Sequence, residues 1–496
     1  MAIDGLIQGG FLHAPSRIRY LVFLRDGRAW MSYDRDQESA DSSGKPMLHG
    51  ERQLIYFIGS GHQGRTYLYQ QNGQWFEAPI NYYSMKKIWD MAPNYGASKT
   101  MPAALPVDSN CLHCHTTDVQ AALPGARNEY DGPPFRQAGI GCSACHGDPS
   151  KHLAEQGRGP IVNPAKLAPA RRDSICLQCH LEGNVAIYHA GKSLAQFRAG
   201  DNLADYVTYF VRADEESGGG RASSQYEALL QSACKRASGD RLTCTTCHDP
   251  HSSPAPADRV SYFRSKCLTC HTGVQMATEH HPEQQDCAVC HMPTRRPVDI
   301  SHDEATDHNI QRRPSTLRLM DRAESDQLVT VGNVPAGDRE LGLAYSQLAE
   351  HGDQNAGEKA LRFLLQAEKD NGGDIQVHTQ LGFLDQMAGD TMDARKEYAD
   401  ALAEDPNDAT VMGNLAVLDA QAGRSAEAVN LLQRVVSADP SQMAAGLDLA
   451  FIECRIDDKA RALEILSRLS RLNPDDPKLY KFVTSGIYGG QRCDLR

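Results

Sequence analysis

The sequence predicts a multidomain chain: a β-rich module over residues 1–105, a mostly irregular and short-helical module over 106–312, a linker over 313–334, and an all-α repeat domain over 335–496. Three observations predict it. Aromatic and branched residues alternate early in the chain between Asp-Gly and Asn-Gly pairs, the pattern of β-hairpins. The middle carries six Cys-x-x-Cys-His motifs and little periodicity. The last third repeats itself every 34 residues.

In the first module, Arg17 to Leu24 and Ala29 to Tyr33 read as strands joined at Asp26-Gly27. Gln53 to Ile58, Arg65 to Tyr69 and Trp75 to Glu77 read as a second set, with Asn72-Gly73 as a tight turn. The loop Gly59-Ser-Gly-His62 is expected to carry a histidine toward another segment.

The middle module is defined by its motifs. They are Cys111/Cys114/His115, Cys142/Cys145/His146, Cys176/Cys179/His180, Cys244/Cys247/His248, Cys267/Cys270/His271 and Cys287/Cys290/His291. This spacing is the attachment signal for c-type haem: two thiols form thioethers with the vinyl groups, and the adjoining histidine coordinates the iron. The bland reading of a Cys-x-x-Cys pair is zinc, but a zinc site has no need of histidine directly after every pair. All six pairs have one. Six covalent haems are therefore expected. Motif starts lie 31, 34, 68, 23 and 20 residues apart. So little chain per motif cannot wrap a separate apolar core around each group. Porphyrin is expected to supply much of the core, with short helices presenting the motifs and haems nearly in contact. The longest gap is expected to hold helices at Leu203 to Arg212 and Gln225 to Leu230, separated by a flexible Glu216-Ser-Gly-Gly-Gly220 link.

In the last domain Pro406, Pro440 and Pro474 keep the 34-residue step, as do Ala360, Ala394, Ala428 and Ala462, and Leu381, Leu415 and Leu449. Gly389 and Gly423 are in phase, with Asp457 next. Two helices per unit with this period is the tetratricopeptide repeat, favoured here over a generic helical domain. About three and a half repeats are expected, the first, near Leu341 to Asp370, degenerate. Such repeats build a concave surface for a peptide or another subunit; here they are expected to dock a redox partner protein or a membrane complex.

Composition narrows the setting. Hydrophobic content of 41% and charged content of 23% are ordinary for a soluble chain of 496 residues. A net charge of -12 argues against a nucleic-acid partner and for a basic redox partner. No run of apolar residues is long enough to span a membrane. Thioether attachment is completed outside the cytoplasm, so a periplasmic or otherwise extracytoplasmic location is expected, although the opening MAIDGLIQGG has no signal-peptide pattern. Three of the 15 cysteines lie outside the motifs: Cys234, Cys454 and Cys493. Cys454 reads as a small buried residue of a repeat, and Cys493 as a free or intermolecularly paired thiol.

Several blocks resemble exported bacterial multihaem c-type cytochromes with doubled CxxCH motifs and C-terminal tetratricopeptide repeats. They include Ile58-Gly-Ser-Gly-His-Gln-Gly-Arg-Thr-Tyr-Leu68, Gly141 to His152, Ile175 to Glu182, Leu242 to His251, and Cys290-His-Met-Pro293 leading to Thr306 to Arg312. The resemblance implies haem binding and electron transfer. It also implies a signal peptide and a seventh CxxCH upstream, both absent from this sequence; a longer native N-terminus would supply them.

A second histidine on each iron makes a low-spin carrier, and an open position makes a site for small-molecule chemistry. His152, His251, His302 and His308 stand in blocks like those where a histidine reaches a neighbouring haem, and are expected distal ligands. His13, His62, His280 and His281 are further candidates. His49, His113 and His189 read as surface residues, and His351 and His378 as structural parts of the repeats. The expected function is electron transfer between redox partners. The alternative is an oxidoreductase with one open haem acting on a small nitrogen or sulfur compound; its CxxCK version is excluded by the sequence.

Overall fold

The structure is a computed structural model. It describes residues 1–35, 47–215, 217–272, 286–300, 302–311, 326–350 and 352–495. The chain forms two compact units: Met1–Gly141 with Gly357–Arg496, and Cys142–Ala356.

The first unit begins with an antiparallel sheet whose strands lie side by side in chain order. They are β1 Gly9–His13, β2 Ile18–Arg25, β3 Arg28–Arg35, β4 Leu48–Ile58, β5 Gly64–Gln71, β6 Gln74–Tyr83 and β7 Ile88–Met91; β8 Leu105–Pro106 also pairs with β6. Both expected turns are present. Asp26 and Gly27 have φ of 52° and 69°, and Asn72 and Gly73 have 53° and 88°. Two successive positive φ values match the twist of the flanking strands, which is why Asp-Gly and Asn-Gly occupy them. Alternation sets the buried face: Ile18, Tyr20 and Val22 on β2 and Ala29, Met31 and Tyr33 on β3 all point inward. The sheet curls so that the Trp89 Nε1 of β7 donates to the Ile7 carbonyl, 3.1 Å away, just before β1.

The repeats follow the expected period. Helices start at Ile375, Ala409, Met443 and Pro477, and their partners at Thr391, Ser425 and Lys459, each 34 residues from the last. Ala394, Ala428 and Ala462 are wholly buried where helices meet. A Cβ on Gly382 would stand 2.7 Å from the Tyr398 ring, so only glycine permits that approach. Between the two helices of each unit the chain passes through the left-handed region, at Gly389 (φ 88°), Gly423 (φ 79°) and Asp457 (φ 73°). The third position thus carries a side chain where glycine is the unstrained choice.

The C-terminal tail corrects one expectation. Cys454 and Cys493 are joined by a disulfide across 39 residues. After Gly486 the chain turns through a short hairpin, Ile487–Tyr488 with Gln491–Arg492, and brings Cys493 back to the helix Met443–Arg455. Cys493 is therefore neither free nor paired to another chain, and Cys454 is more than an apolar filler. A closed loop of this length adds about 3–4 kcal/mol by restricting the unfolded chain.

The last repeat is fused to the sheet. Arg35, buried at the end of β3, makes a two-pronged ion pair with Asp475: Nη1 to Oδ1 at 2.8 Å and Nη2 to Oδ2 at 2.6 Å. Arg35 Nε donates to the Ser16 carbonyl, and Asp475 Oδ2 also accepts from the Met101 amide. Asn473 Oδ1 accepts from the Ala104 amide, and Leu472 joins the sheet's own core.

In the second unit, Val185–Tyr188, Val207–Arg212 and Leu328–Thr330 form a three-stranded antiparallel sheet with Val207–Arg212 in the centre. This overturns the helix expected at Leu203 to Arg212; only Leu203–Asp205 makes a 3-10 turn. The run Val-Thr-Tyr-Phe-Val is β-branched and aromatic throughout, and pairing on both sides suits it better than a helix. Gln225–Gln231 is helical as expected. The helix Asp338–Glu350 lies on this sheet, with the Tyr345 hydroxyl accepting from the Leu328 amide at 3.1 Å.

Removing one partner of the buried pair should be severe. Asp475→Ala is expected to cost about 3–5 kcal/mol, because it strands a buried guanidinium; chemical denaturation read by tryptophan fluorescence and by helical circular dichroism should show both signals shifting together. Asp457→Gly should act the other way, adding about 0.5–1 kcal/mol in the same measurement.

Candidate functional site

Each motif begins on a helix. Asp108 caps the first, Ser109–His113, by accepting from the amides of Asn110 and Cys111. The others are Cys142–His146, Pro169–His180, Cys244–Cys247, Arg259–Leu268 and Cys287–His291. One turn of helix places the two thiols of a Cys-x-x-Cys pair on one side, because residues three apart are neighbours on a helix. The burial of these helices is unusual. Cys142–His146, Cys244–Cys247, Arg259–Leu268 and Cys287–His291 bury none of their own residues, and Cys111, Cys142, Cys267 and Cys270 are exposed. Among the described residues, no three motif thiols and imidazoles bring their ligand atoms within 4.8 Å of one another, so they do not form a tetrahedral zinc cage.

Cys114 and Cys179 are presented differently from the other motif cysteines. Cys114 lies just past its helix, which ends at His113. It is the C-cap, with φ -81° and ψ -11°, and its amide donates to the Leu112 carbonyl. That backbone is still right-handed helical, so the three-residue spacing from Cys111 is kept, but Cys114 is half-buried where Cys111 is exposed. Cys179 sits near the end of a 12-residue helix, Pro169–His180, which does bury a face of its own through Asp173, Ser174, Ile175, Leu177 and Gln178. Cys176 and Cys179 are half-buried on that helix. Ile175 and Leu177 flank the first thiol of the pair, so protein, and not an added group alone, covers part of this motif.

What the second unit does bring together is pairs. His146, from the second motif, faces His251 with ring centroids 5.9 Å apart and planes 16° from parallel. His248, from the fourth motif, faces His308 at 6.2 Å and 28°. Each pair joins a motif histidine to a non-motif one. Metal–imidazole bonds of about 2 Å on both sides of an ion, plus half a ring at each end, span about 6 Å between centroids. Desolvation, and then the neighbouring His308, hold the His248 imidazole below the usual histidine range; desolvation does the same for His308. The neutral ring is the form that ligates metal.

Backbone carbonyls set the tautomer. The Nδ1–H of His146 donates to Val162 at 2.8 Å, that of His152 to Gly159 at 3.0 Å, that of His308 to Thr306 at 2.9 Å and that of His291 to Gln311 at 2.5 Å. His180 Nδ1 uses the Gln225 side-chain oxygen, 3.2 Å away. With the proton on Nδ1, the ring's lone pair is on Nε2, the arrangement found around ligating histidines. Sequence reasoning missed these orienting groups, since a carbonyl has no residue signature.

The thiols of different motifs also adjoin. Cys176 lies beside Cys244, and Cys267 beside Cys287. The contact with Cys244, and then burial, push the Cys176 thiol up. Cys234, half-buried, lies close enough to Cys270 to feel its charge.

His13 is corrected. It is buried, with Nε2 donating to the Gly96 carbonyl at 3.0 Å and Nδ1 accepting from the Ser16 hydroxyl at 2.7 Å. Both nitrogens are engaged, leaving no lone pair for iron. His62 is exposed on the loop between β4 and β5, and His302 is exposed with φ 60°. His280 and His281 lie outside the described residues. His189, by contrast with the surface reading, is half-buried and bonded to the Thr208 hydroxyl at 2.9 Å.

One acidic group near the first motif was not anticipated. Glu77, on β6, is pushed up to about 7 by burial. Its charge reaches Tyr95 and Cys111.

Three family models match parts of the chain. Residues 73–147 match the cytochrome c554 and c-prime family, and that span holds the first two motifs. Residues 236–276 match the doubled CXXCH motif, holding the fourth and fifth. Residues 386–445 and 419–485 match the tetratricopeptide repeat. Together they define a class: a multihaem c-type cytochrome with tetratricopeptide repeats. No curated protein matches the chain. Among solved structures, MamA of AMB-1 is 19% identical over 29% of this chain and 75% of its own, with a TM-score of 0.26. A tetratricopeptide repeat protein from Parabacteroides merdae is 17% identical over 29% and 56%, and pilF of Pseudomonas aeruginosa 24% over 29% and 66%, both at 0.26.

Glu77 generates a prediction about pH. An acid whose folded value, about 7, exceeds its ordinary 4.5 keeps its proton preferentially in the folded state. Its favourable contribution is complete below the ordinary value and is lost as pH rises toward and through the folded one. Unfolding midpoints between about pH 5 and pH 8 should therefore fall more steeply for the native protein than for Glu77→Gln.

Proposed function

We propose that the chain is an extracytoplasmic electron carrier that holds six c-type haems, one on each motif. The pairing of His146 with His251 and of His248 with His308 carries this reading. The residues fit the group: paired thiols on one turn of helix, a motif histidine beside them, a second histidine at the span of one iron, and motif helices left without apolar cover of their own. Bound there, haem supplies a reversible one-electron change at iron.

The protein's own work is anchoring, ligation and spacing. Six thiol pairs anchor covalently: Cys111 with Cys114, Cys142 with Cys145, Cys176 with Cys179, Cys244 with Cys247, Cys267 with Cys270 and Cys287 with Cys290. His115, His146, His180, His248, His271 and His291 would each ligate the iron of the haem on their own motif. His251 and His308 would supply a second imidazole at the second and fourth motifs, and an iron held by two histidines would carry electrons without binding substrate. His152, with its Nδ1 tied to Gly159, is held in the same ligating tautomer, and His62 and His302 are placed on exposed loops for the remaining sites. The proximity of Cys176 to Cys244 and of Cys267 to Cys287 would put attachment points of different motifs side by side, and each covalent anchor would fix its redox centre near the next.

The disulfide supports an oxidising compartment, as does thioether chemistry. No helix among the described residues is long and apolar enough to cross a membrane. The repeats offer the docking surface for a redox partner protein.

Replacing His251 with alanine should leave six haems by intact-protein mass and convert one low-spin ferric signal to high-spin in electron paramagnetic resonance; His308→Ala should do the same at a different iron. An unchanged spin state in both would remove the pairing. In the native protein, a high-spin signal that shifts on adding nitrite, hydroxylamine or cyanide would replace the carrier with the oxidoreductase.

A further inference from the structure

We propose that Glu368, His378 and Glu397 form a binding site for one zinc(II) ion within the repeats, separate from the haem chemistry. The three residues come from three successive helices, Gln354–Asn371, Ile375–Ala388 and Thr391–Glu404, and their ligand atoms all lie within 4.8 Å of one another. One imidazole and two carboxylates is a mixed nitrogen and oxygen set suited to a borderline divalent ion. Three protein ligands leave room for a water in a tetrahedral site.

The imidazole is held ready. His378 is 7% exposed and Glu397 6%. His378 Nδ1 lies 2.8 Å from Glu397 Oε2. On the other side, a Cβ on Gly373 would stand 2.8 Å from His378 Nε2, so the ring is pinned between that glycine and the carboxylate. The local charge calls for a cation. Asp385, Asp390 and Asp393 stand near Glu368 and Glu397 and add acidic groups around the cluster. Lys396 supplies part of the balance, 2.8 Å from Glu397 and 3.4 Å from Asp400. Its side chain is 62% exposed, and it can stay with Asp400 when a metal takes Glu397.

The position gives the ion a purpose. The helices carrying Glu368 and His378 are joined through Gly372 and Gly373, both with positive φ (80° and 75°), a link with little stiffness of its own. This is also the end of the array where the sequence repeat is degenerate. A metal bridging three helices would clamp that end, and its binding energy would appear as stability.

The test uses the full, haem-loaded chain. Protein stripped with a chelator is incubated with micromolar zinc chloride and desalted. Zinc is then counted by elemental mass spectrometry, and the melt is followed by circular dichroism at the helical band. One zinc per native chain is expected, with at least a tenfold loss of affinity in His378→Gln and Glu368→Gln, and a melt that zinc raises only in the native protein. No retained zinc, or equal retention by native protein and variants, would overturn the proposal and leave a proton-held His378–Glu397 pair. Glu368 is only half-buried, so Glu368→Gln decides the matter if His378→Gln fails to fold. Haem content, read separately by absorbance, keeps this outcome distinct from any failure of the electron-carrier reading.

Discussion

Among the described residues between Cys142 and Gln311, the polypeptide's short motif helices add little to a core of their own. Four of its motif helices hide none of their residues, and the apolar cluster of this unit, around Leu177, Phe197, Leu203 and Val207, gathers beside the small sheet. A short helix with no buried face has no reason to persist in water. Much else in this unit follows from that deficit. In the proposed carrier, thioether bonds fasten the helices to something apolar that the chain itself does not provide. Imidazoles are tied to carbonyls so that they can bridge to it, and thiols of different pairs lie near one another. The helix holding Cys179 is the exception that joins the two regimes, because its buried face belongs to the apolar cluster while its thiols belong to a motif.

The other unit solves the opposite problem. It has ample core in both sheet and repeats, and it joins them through the buried Arg35–Asp475 pair, residues 440 positions apart. A repeat array usually needs a polar cap at each end. Here the last repeat ends on a β-sheet, with Leu472 inside that sheet's core and the amides of Met101 and Ala104 anchored on Asp475 and Asn473. The repeats are therefore no appendage on a flexible tether, and truncating them would expose the sheet's core.

Local features were legible in the sequence. The two hairpin turns, the helix phase of the repeats and the six motifs are short-range patterns, each imposed by geometry within a few residues or by a strict period. The misreadings share a different cause. Val207 to Arg212 is a strand because of partners at Val185 and Leu328, which no local window contains. Cys493 finds Cys454 because a glycine turn and a two-residue hairpin fold the tail back. His13 looked available until Gly96, 83 residues away, took its second nitrogen. His251 and His308 stood out in the sequence only through blocks that resemble a family, and that they face His146 and His248 is seen only in the fold.

The Cys454–Cys493 bond sets a timetable for the chain's own maturation. Its formation consumes an oxidant, and the same oxidant would close each Cys-x-x-Cys pair on itself, blocking the thiols from alkylation. The cysteine traffic must therefore be sorted. In the proposed carrier, the pairs from Cys111 to Cys290 have to be kept or returned to the reduced state until they are capped, while two cysteines near the end of the chain are allowed to oxidise. The position of the bond eases the conflict: both of its cysteines follow every motif in the chain, so during N-to-C emergence the motif thiols appear first. Sequence order would then serve as a kinetic filter, separating two chemistries that compete for the same functional group.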